Sequence, residues 1–270
     1  MAVEIVATGT IAEAAQILSS NRQASLFAGG TMLMCAINYG DQSLGTLVRC
    51  DDPALSEVRS EGENIRIGSA VTMAKVLQTR ELSFLEKAAR SVGGPAIRTA
   101  ATVGGNLFAP APYGDFATAL LALGATIEFA GGSSVSADDF FGNRDRYSER
   151  LVTAVLVPRI NDADALRFLK VTRVRPKGAA VLTIAAYLPR RAGQIEGFRI
   201  AYGNVAPIPI RATAAERALE GASLDEGGIS GALAAACQGI EPITDALASS
   251  WYRREVVPVH LKRVLLNREL

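Results

Sequence analysis

Apolar residues recur along this chain at two spacings, and the switches between them mark its elements. Over residues 11–19 they fall one helical turn apart, which predicts an amphipathic helix with Thr10 as N-cap and Glu13 at the capping-box position. Short apolar runs at 25–28 and 46–49 predict strands on either side of a turn-rich segment, giving a small βαβ-like unit at the N-terminal end. Short strands and a turn are expected across 57–60, 64–68 and 70–72. Helices follow at 73–78, capped by Thr72, and at 84–91, stopped by Gly93-Gly94-Pro95. Residues 115–123 (DFATALLAL) form a strongly apolar helix with Asp115 at its start. Strands at 125–129 and 151–157 enclose a Gly131-Gly132 hairpin turn.

The polar stretch 161–164 predicts a boundary between two domains. Beyond it come strands at 166–172, 180–188 and 195–202, helices at 212–219 and 229–238, and a basic helix over 249–267. Strands followed by helices indicate an α+β arrangement.

Composition narrows the function more by exclusion than by suggestion. The chain has 270 residues, enough for one large or two moderate domains, and 49% of them are hydrophobic. Charges nearly cancel at a formal net of +1, with no basic stripe interleaved with aromatics, so no nucleic-acid partner is expected. The densest basic run, Arg167, Lys170, Arg173, Arg175 and Lys177, reads as a solvated face or a ligand site. Cys35, Cys50 and Cys237 are widely spaced and form no CxxC, which argues against a disulfide framework, a zinc site or an iron–sulfur cluster held by this chain alone. No signal-like N-terminus and no long apolar run is visible, so the expectation is a cytoplasmic protein without membrane insertion. The single histidine, His260, reads as a surface residue on the basic helix, and its isolation disfavours Ser-His-Asp and multi-histidine metal chemistry.

Two glycine pairs carry the candidate chemistry. Ala28-Gly29-Gly30-Thr31 follows a probable strand, and Thr102-Val103-Gly104-Gly105-Asn106 lies at the end of another, ahead of a loop that closes on Asp115. Residues without Cβ let backbone N–H groups approach an anion such as a pyrophosphate. The first pair alone reads more readily as a tight turn, and Asp115 reads equally as a helix-start acid or as an acceptor for ribose or ribityl hydroxyls. No GxGxxG and no GxxxxGK[ST] occurs, so neither a Rossmann nicotinamide site nor a P-loop is supported. Together the two pairs, with Asn106 and Asp115, suggest a flavin dinucleotide cradle.

These residues and others further along resemble the FAD-binding medium subunit of the molybdenum hydroxylases, the family of xanthine dehydrogenases, carbon monoxide dehydrogenase and bacterial N-heterocycle dehydrogenases. The likeness runs over nearly the whole chain. Ala28-Gly29-Gly30-Thr31-Met32-Leu33 is similar to the family's first flavin loop, and the run from Arg98 to Asn106 to its second. The stretch from Ala109 to Asp115 closely resembles an Ala-x-Pro-x-x-Asp segment, though not residue for residue. Phe168-Leu169-Lys170 with Arg173 resembles a segment whose lysine lies near the flavin. Tyr202-Gly203-Asn204-Val205-Ala206-Pro207 with Pro209 and Arg211, and Pro242 to Asp245 with Tyr252-Arg253-Arg254, resemble two C-terminal signatures. Met32 stands where the family has aspartate and Thr99 where it has asparagine. The loop from Phe108 to Tyr113 lacks the cysteines that hold an extra cluster in some relatives.

The resemblance implies an α+β fold: a two-lobed FAD-binding domain of the PCMH type over residues 1–160 (lobes about 1–52 and 53–160), with a small βαβ lobe and an antiparallel-sheet lobe. A smaller α+β C-terminal domain with a three-stranded sheet follows over 165–270. It implies non-covalent FAD held by Ala28, Gly29, Gly30, Thr31, Met32, Thr102, Val103, Gly104, Gly105, Asn106, Asp115 and Lys170, with Lys170 stabilising negative charge on the reduced ring. No catalytic or metal-binding residue is expected on this chain. Molybdopterin and 2Fe-2S clusters would reside on a large and a small partner subunit, in a dimer of heterotrimers, and FAD would pass electrons to an external acceptor. A self-sufficient flavin oxidase using Tyr113, Tyr147 or Tyr187 as acid or base, and a flavin-free scaffold, are the alternatives.

Overall fold

A computed structural model describes residues 3–174, 178–191, 194–195 and 197–268; Arg175 and Lys177 of the basic run lie outside them. Three sheets organise the chain. The first contains β1 (Glu4–Thr8), β2 (Ala24–Leu26) and β3 (Thr46–Cys50), in the order β1-β3-β2 and all parallel. The helix Ile11–Ser20 connects β1 to β2. Its N-terminus is fixed as expected: Thr10 Oγ1 accepts from Glu13 N at 3.3 Å, and Glu13 reaches back to Gly9 N at 3.2 Å. Ala14 and Leu18 on its inner face pack on Val48 and on Leu151 of the next lobe, a core of modest size.

The second sheet is antiparallel, with β4 (Val58–Glu61), β5 (Asn64–Gly68), β6 (Thr126–Phe129), β7 (Ser134–Ser136) and β8 (Val152–Pro158) in the order β4-β5-β8-β6-β7. Gly131 (φ 85°) and Gly132 (φ 81°) make the β6–β7 turn, where left-handed backbone matches the strand twist. Residues 70–72 contribute an isolated bridge between Thr72 and Thr102.

The C-terminal sheet is built from β9 (Leu166–Thr172), β10 (Ala180–Tyr187), β13 (Arg199–Gly203) and β14 (Ile210–Arg211), in the order β14-β13-β10-β9. A small hairpin, β11 (Arg190–Arg191) with β12 (Gln194–Ile195), interrupts it. The sheet thus has four strands where the sequence suggests three. The extra one, β14, is two residues long and shows no alternation to read.

The helix Asp115–Ala122 lies between the two domains, and all of its residues are buried. It packs against β10 and β13 on one side and the helices Glu86–Ser91 and Val103–Phe108 on the other, which is why its sequence is apolar all round. The long helix Ser250–Leu265 covers β9 and β10 through Val257, Leu261, Val264 and Leu265. His260 shares that inner face and is buried, not exposed as its basic surroundings suggest. Burial, with the charge of Arg263 added, pushes its pKa down.

Candidate functional site

After Leu26 the chain leaves the first sheet with one last bond, Phe27 N to Val48 O at 2.7 Å, and enters the bend 28–32. Gly30 is left-handed (φ 66°), and a Cβ there would meet the Phe27 ring at 2.8 Å. Gly29 serves a different purpose: a Cβ at this position would overlap the Ala100 carbonyl oxygen. The two glycine motifs, far apart in sequence, are therefore in contact. Among the described residues, the backbone N–H groups from Ala28 to Met32 have no hydrogen-bond partner. A run of unpaired N–H groups in a tight bend is a ready anion site.

The second motif is built differently from its expected strand end. Thr102 caps the helix Val103–Phe108, and the first N–H groups of that helix are satisfied internally. Val103 N bonds Val71 O at 2.9 Å, Gly104 N bonds Ser69 O at 2.8 Å, and Gly105 N bonds Thr102 Oγ1 at 3.0 Å. Gly104 is required by packing, since a Cβ would meet Ser69 Cβ at 2.8 Å. Gly105 lies outside the left-handed region, and an added Cβ would approach only Thr102 Oγ1, at 3.0 Å, leaving its outer face open. Asn106 Oδ1 accepts from Ala117 N at 2.9 Å, capping the helix Asp115–Ala122 where Gly114 has no side chain to do so. Thr99 donates to Ala96 O at 2.8 Å, a strictly local turn.

Asp115 is buried, and both of its oxygens are taken by the C-terminal domain. Oδ2 lies 2.6 Å from Lys170 Nζ, and Oδ1 accepts from Thr183 Oγ1 at 2.9 Å. Lys170 also donates to Ser91 O at 3.0 Å. Burial raises the Asp115 pKa, opposed by the ammonium of Lys170 and the hydroxyl of Thr183. Sequence reasoning found Asp115 and Lys170 but not Thr183. Its signal was present: one threonine in the otherwise apolar run of β10.

Two C-terminal signature residues prove to be structural ties. Arg211 forks onto Glu216 (Nε–Oε1 2.7 Å, Nη2–Oε2 2.5 Å) and reaches Asp138 of the other domain at 3.2 Å, where Arg199 also bonds. Arg253, fully buried, holds Asp245 bidentately at 2.9 Å and the carbonyls of Val181 and Ile243. Burial works against the Asp245 carboxylate, but these Arg253 bonds and two backbone N–H groups bring its pKa below the usual value.

Of the tyrosines weighed as acids or bases, Tyr147 donates to Asp139 Oδ2 at 2.5 Å and stacks on Phe129, while Tyr113 is exposed. Among the described residues no group of three or more His, Cys, Asp or Glu could hold a metal, and no helix is long and apolar enough to cross a membrane.

This bend and its partner helix form a candidate anion cradle, set in a two-lobed first domain followed by a four-stranded second one. Residues 1–160 match the family described as the FAD binding domain in molybdopterin dehydrogenase, and 167–268 the CO dehydrogenase flavoprotein C-terminal domain. The chain belongs to this family of FAD-binding subunits of molybdenum-containing dehydrogenases. It is 28% identical to a putative xanthine dehydrogenase FAD-binding subunit of Escherichia coli K12, over 95% of this chain and 92% of that one. It is also 28% identical to the glyceraldehyde dehydrogenase medium chain of Sulfolobus acidocaldarius, over 93% and 92%. In structure it is similar to reconstituted CO dehydrogenase from Oligotropha carboxidovorans, with a TM-score of 0.89, 25% identity and coverage of 100% and 99%. Quinoline 2-oxidoreductase from Pseudomonas putida 86 gives a TM-score of 0.85 at 26% identity, covering 99% and 97%.

Proposed function

We propose that this chain is the electron-relay subunit of a heteromeric dehydrogenase, carrying electrons from iron–sulfur clusters on a small subunit through FAD to an external acceptor. Substrate is oxidised at a molybdenum centre on a large subunit, and the assembly is a dimer of heterotrimers in the cytoplasm. The observation that carries the reading is the bend 28–32, whose backbone N–H groups have no protein partner and whose Gly29 touches the second motif.

FAD supplies redox chemistry that side chains lack. The bend from Ala28 to Met32 would hold its pyrophosphate mainly through backbone N–H groups, so the methionine at position 32 removes no essential donor. Thr102 to Asn106 would form the opposite wall, with the open face of Gly105 admitting close approach and Asn106 fixing the helix that bears Asp115. Asp115 and Lys170 would lie against the nucleotide as a near-neutral pair, so Lys170 tunes the cofactor as a dipole and less as a free cation. The unpaired amides of the bend suit a phosphate, whereas the Asp115 carboxylate, already held by Lys170 and Thr183, would back the site and not serve as a free acceptor for a polyol.

The test is to purify the chain alone and with its partner subunits, then present xanthine, glyceraldehyde, carbon monoxide and quinoline. The chain alone is expected to retain FAD and remain oxidised with every one of them. Reduction of the isolated chain by any of these substrates would transfer the proposal to the self-sufficient oxidase, and absence of bound FAD would transfer it to the scaffold.

A further inference from the structure

A small polar cavity sits where the two domains meet, separate from the contacts proposed for the cofactor. Its volume is about 10 Å³, and its lining includes Thr118, Gly203, Asn204, Gly114, Ala109 and Pro207. Two buried polar atoms of its lining residues have no hydrogen-bond partner among the described residues: Thr118 Oγ1 from the first domain and Asn204 Oδ1 from the second. Buried polar groups are rarely left unpaired, because desolvation is costly when no bond replaces water.

Two further features keep the space as it is. Among the described residues, Asn204 is one of two non-glycine residues with positive φ (68°), a conformation that turns the chain directly after β13. Gly203 has no side chain, and a Cβ there would lie 2.5 Å from Thr118 Oγ1, inside the room beside that hydroxyl.

We infer that this cavity binds one ordered water molecule, hydrogen-bonded to both Thr118 Oγ1 and Asn204 Oδ1 and so joining the FAD-binding domain to the C-terminal domain. The volume is at the lower end of what one water occupies, which excludes organic ligands. No lining residue is charged, so nothing in the cavity balances an ion. Water both donates and accepts, and it therefore serves a hydroxyl and an amide together. Thr118 lies one helical turn from Asp115. The water thus adds a tie beside the Asp115–Thr183 bond and helps to hold the two domains in register.

A high-resolution crystal structure of the full chain tests this directly. A density peak within hydrogen-bond distance of both atoms is expected, and its absence overturns the inference. Thr118→Val is then expected to remove the peak and lower the melting temperature by about 2–4 °C, because Asn204 loses its bridged partner. A dry cavity gives the opposite sign: deleting an unpaired hydroxyl leaves stability unchanged or raised, and that result overturns the proposal. Asn204→Gly keeps the left-handed backbone while removing the amide. Combined with Thr118→Val it is expected to cost no more than the larger single change, and additive losses would overturn a shared water.

Discussion

The ammonium of Lys170 and the carboxylate of Asp115 meet across the domain junction at 2.6 Å, with little solvent access to either. The pair links β9 of the second domain to the helix Asp115–Ala122 of the first. Removing the cation alone would strand a buried carboxyl with only Thr183 as partner. Lys170→Met is therefore expected to destabilise the chain by about 3–5 kcal/mol. Adding Asp115→Asn to that variant should recover a large part of the loss. Urea unfolding of both variants checks this; equal stability of Lys170→Met and wild type would reject the pair as a structural tie.

The glycines of the two motifs separate into packing and access roles. Gly29→Ala places a methyl group on the Ala100 carbonyl oxygen, which forces the two bends apart. The expected outcome is loss of FAD from the purified protein. Gly105→Ala meets only the Thr102 hydroxyl and sits in a helix, so its stability should stay within about 1 kcal/mol of wild type. Its FAD affinity is expected to fall at least tenfold if the cofactor lies against that face, a change measurable by fluorescence titration of apoprotein.

Tyr202 is completely buried in β13, and its hydroxyl has no partner among the described residues. Burial, with Cys237 and Glu216 nearby, raises its pKa, so the phenol is neutral. Tyr202→Phe removes the unpaired atom without changing the ring. Stability should rise by about 1 kcal/mol, read from the chemical denaturation midpoint.

His260 gives the acid side of the stability profile a definite sign. Its folded pKa lies below the ordinary 6.5 that it regains on unfolding. Between the two values the unfolded chain binds more protons, so stability rises with pH and falls as acid is added below about pH 6.5. Melting temperatures from pH 7 to pH 5 should drop more steeply for wild type than for His260→Phe.

Much of this architecture was legible because local signals and tertiary environment agree. The helix at Ile11–Ser20, its Thr10 cap, the Thr72 cap of Met73–Gln78 and the Gly131-Gly132 turn all follow from side-chain chemistry within a few residues. Where the environment decides, the pattern misleads. The second glycine motif reads as a strand end, yet Thr102 and the carbonyls of Ser69 and Val71 make it the start of a helix. β1 and the helix Leu33–Asn38 escaped notice because their faces are mostly exposed or half-buried, leaving no clear periodicity. At the site, Asp115 and Lys170 could be named, but not their pairing, nor Thr183 and Ser91 beside them. Lys170, Thr183 and Ser91 reach it from distant parts of the chain, and only the fold brings them there.

The slender core of the first sheet has a consequence for motion. Ala14, Leu18 and Val48, with Leu151 borrowed from the neighbouring lobe, anchor three short parallel strands, while the second sheet rests on a far larger cluster. Amide protons in β1, β2 and β3 should consequently exchange with solvent deuterium well before those in β5 and β8, through a partial opening that spares the rest of the molecule. The bend 28–32 rides on this loosest portion. A nucleotide held by this bend and the open face of Gly105 would act as a fastener, slowing that exchange in proportion to its occupancy.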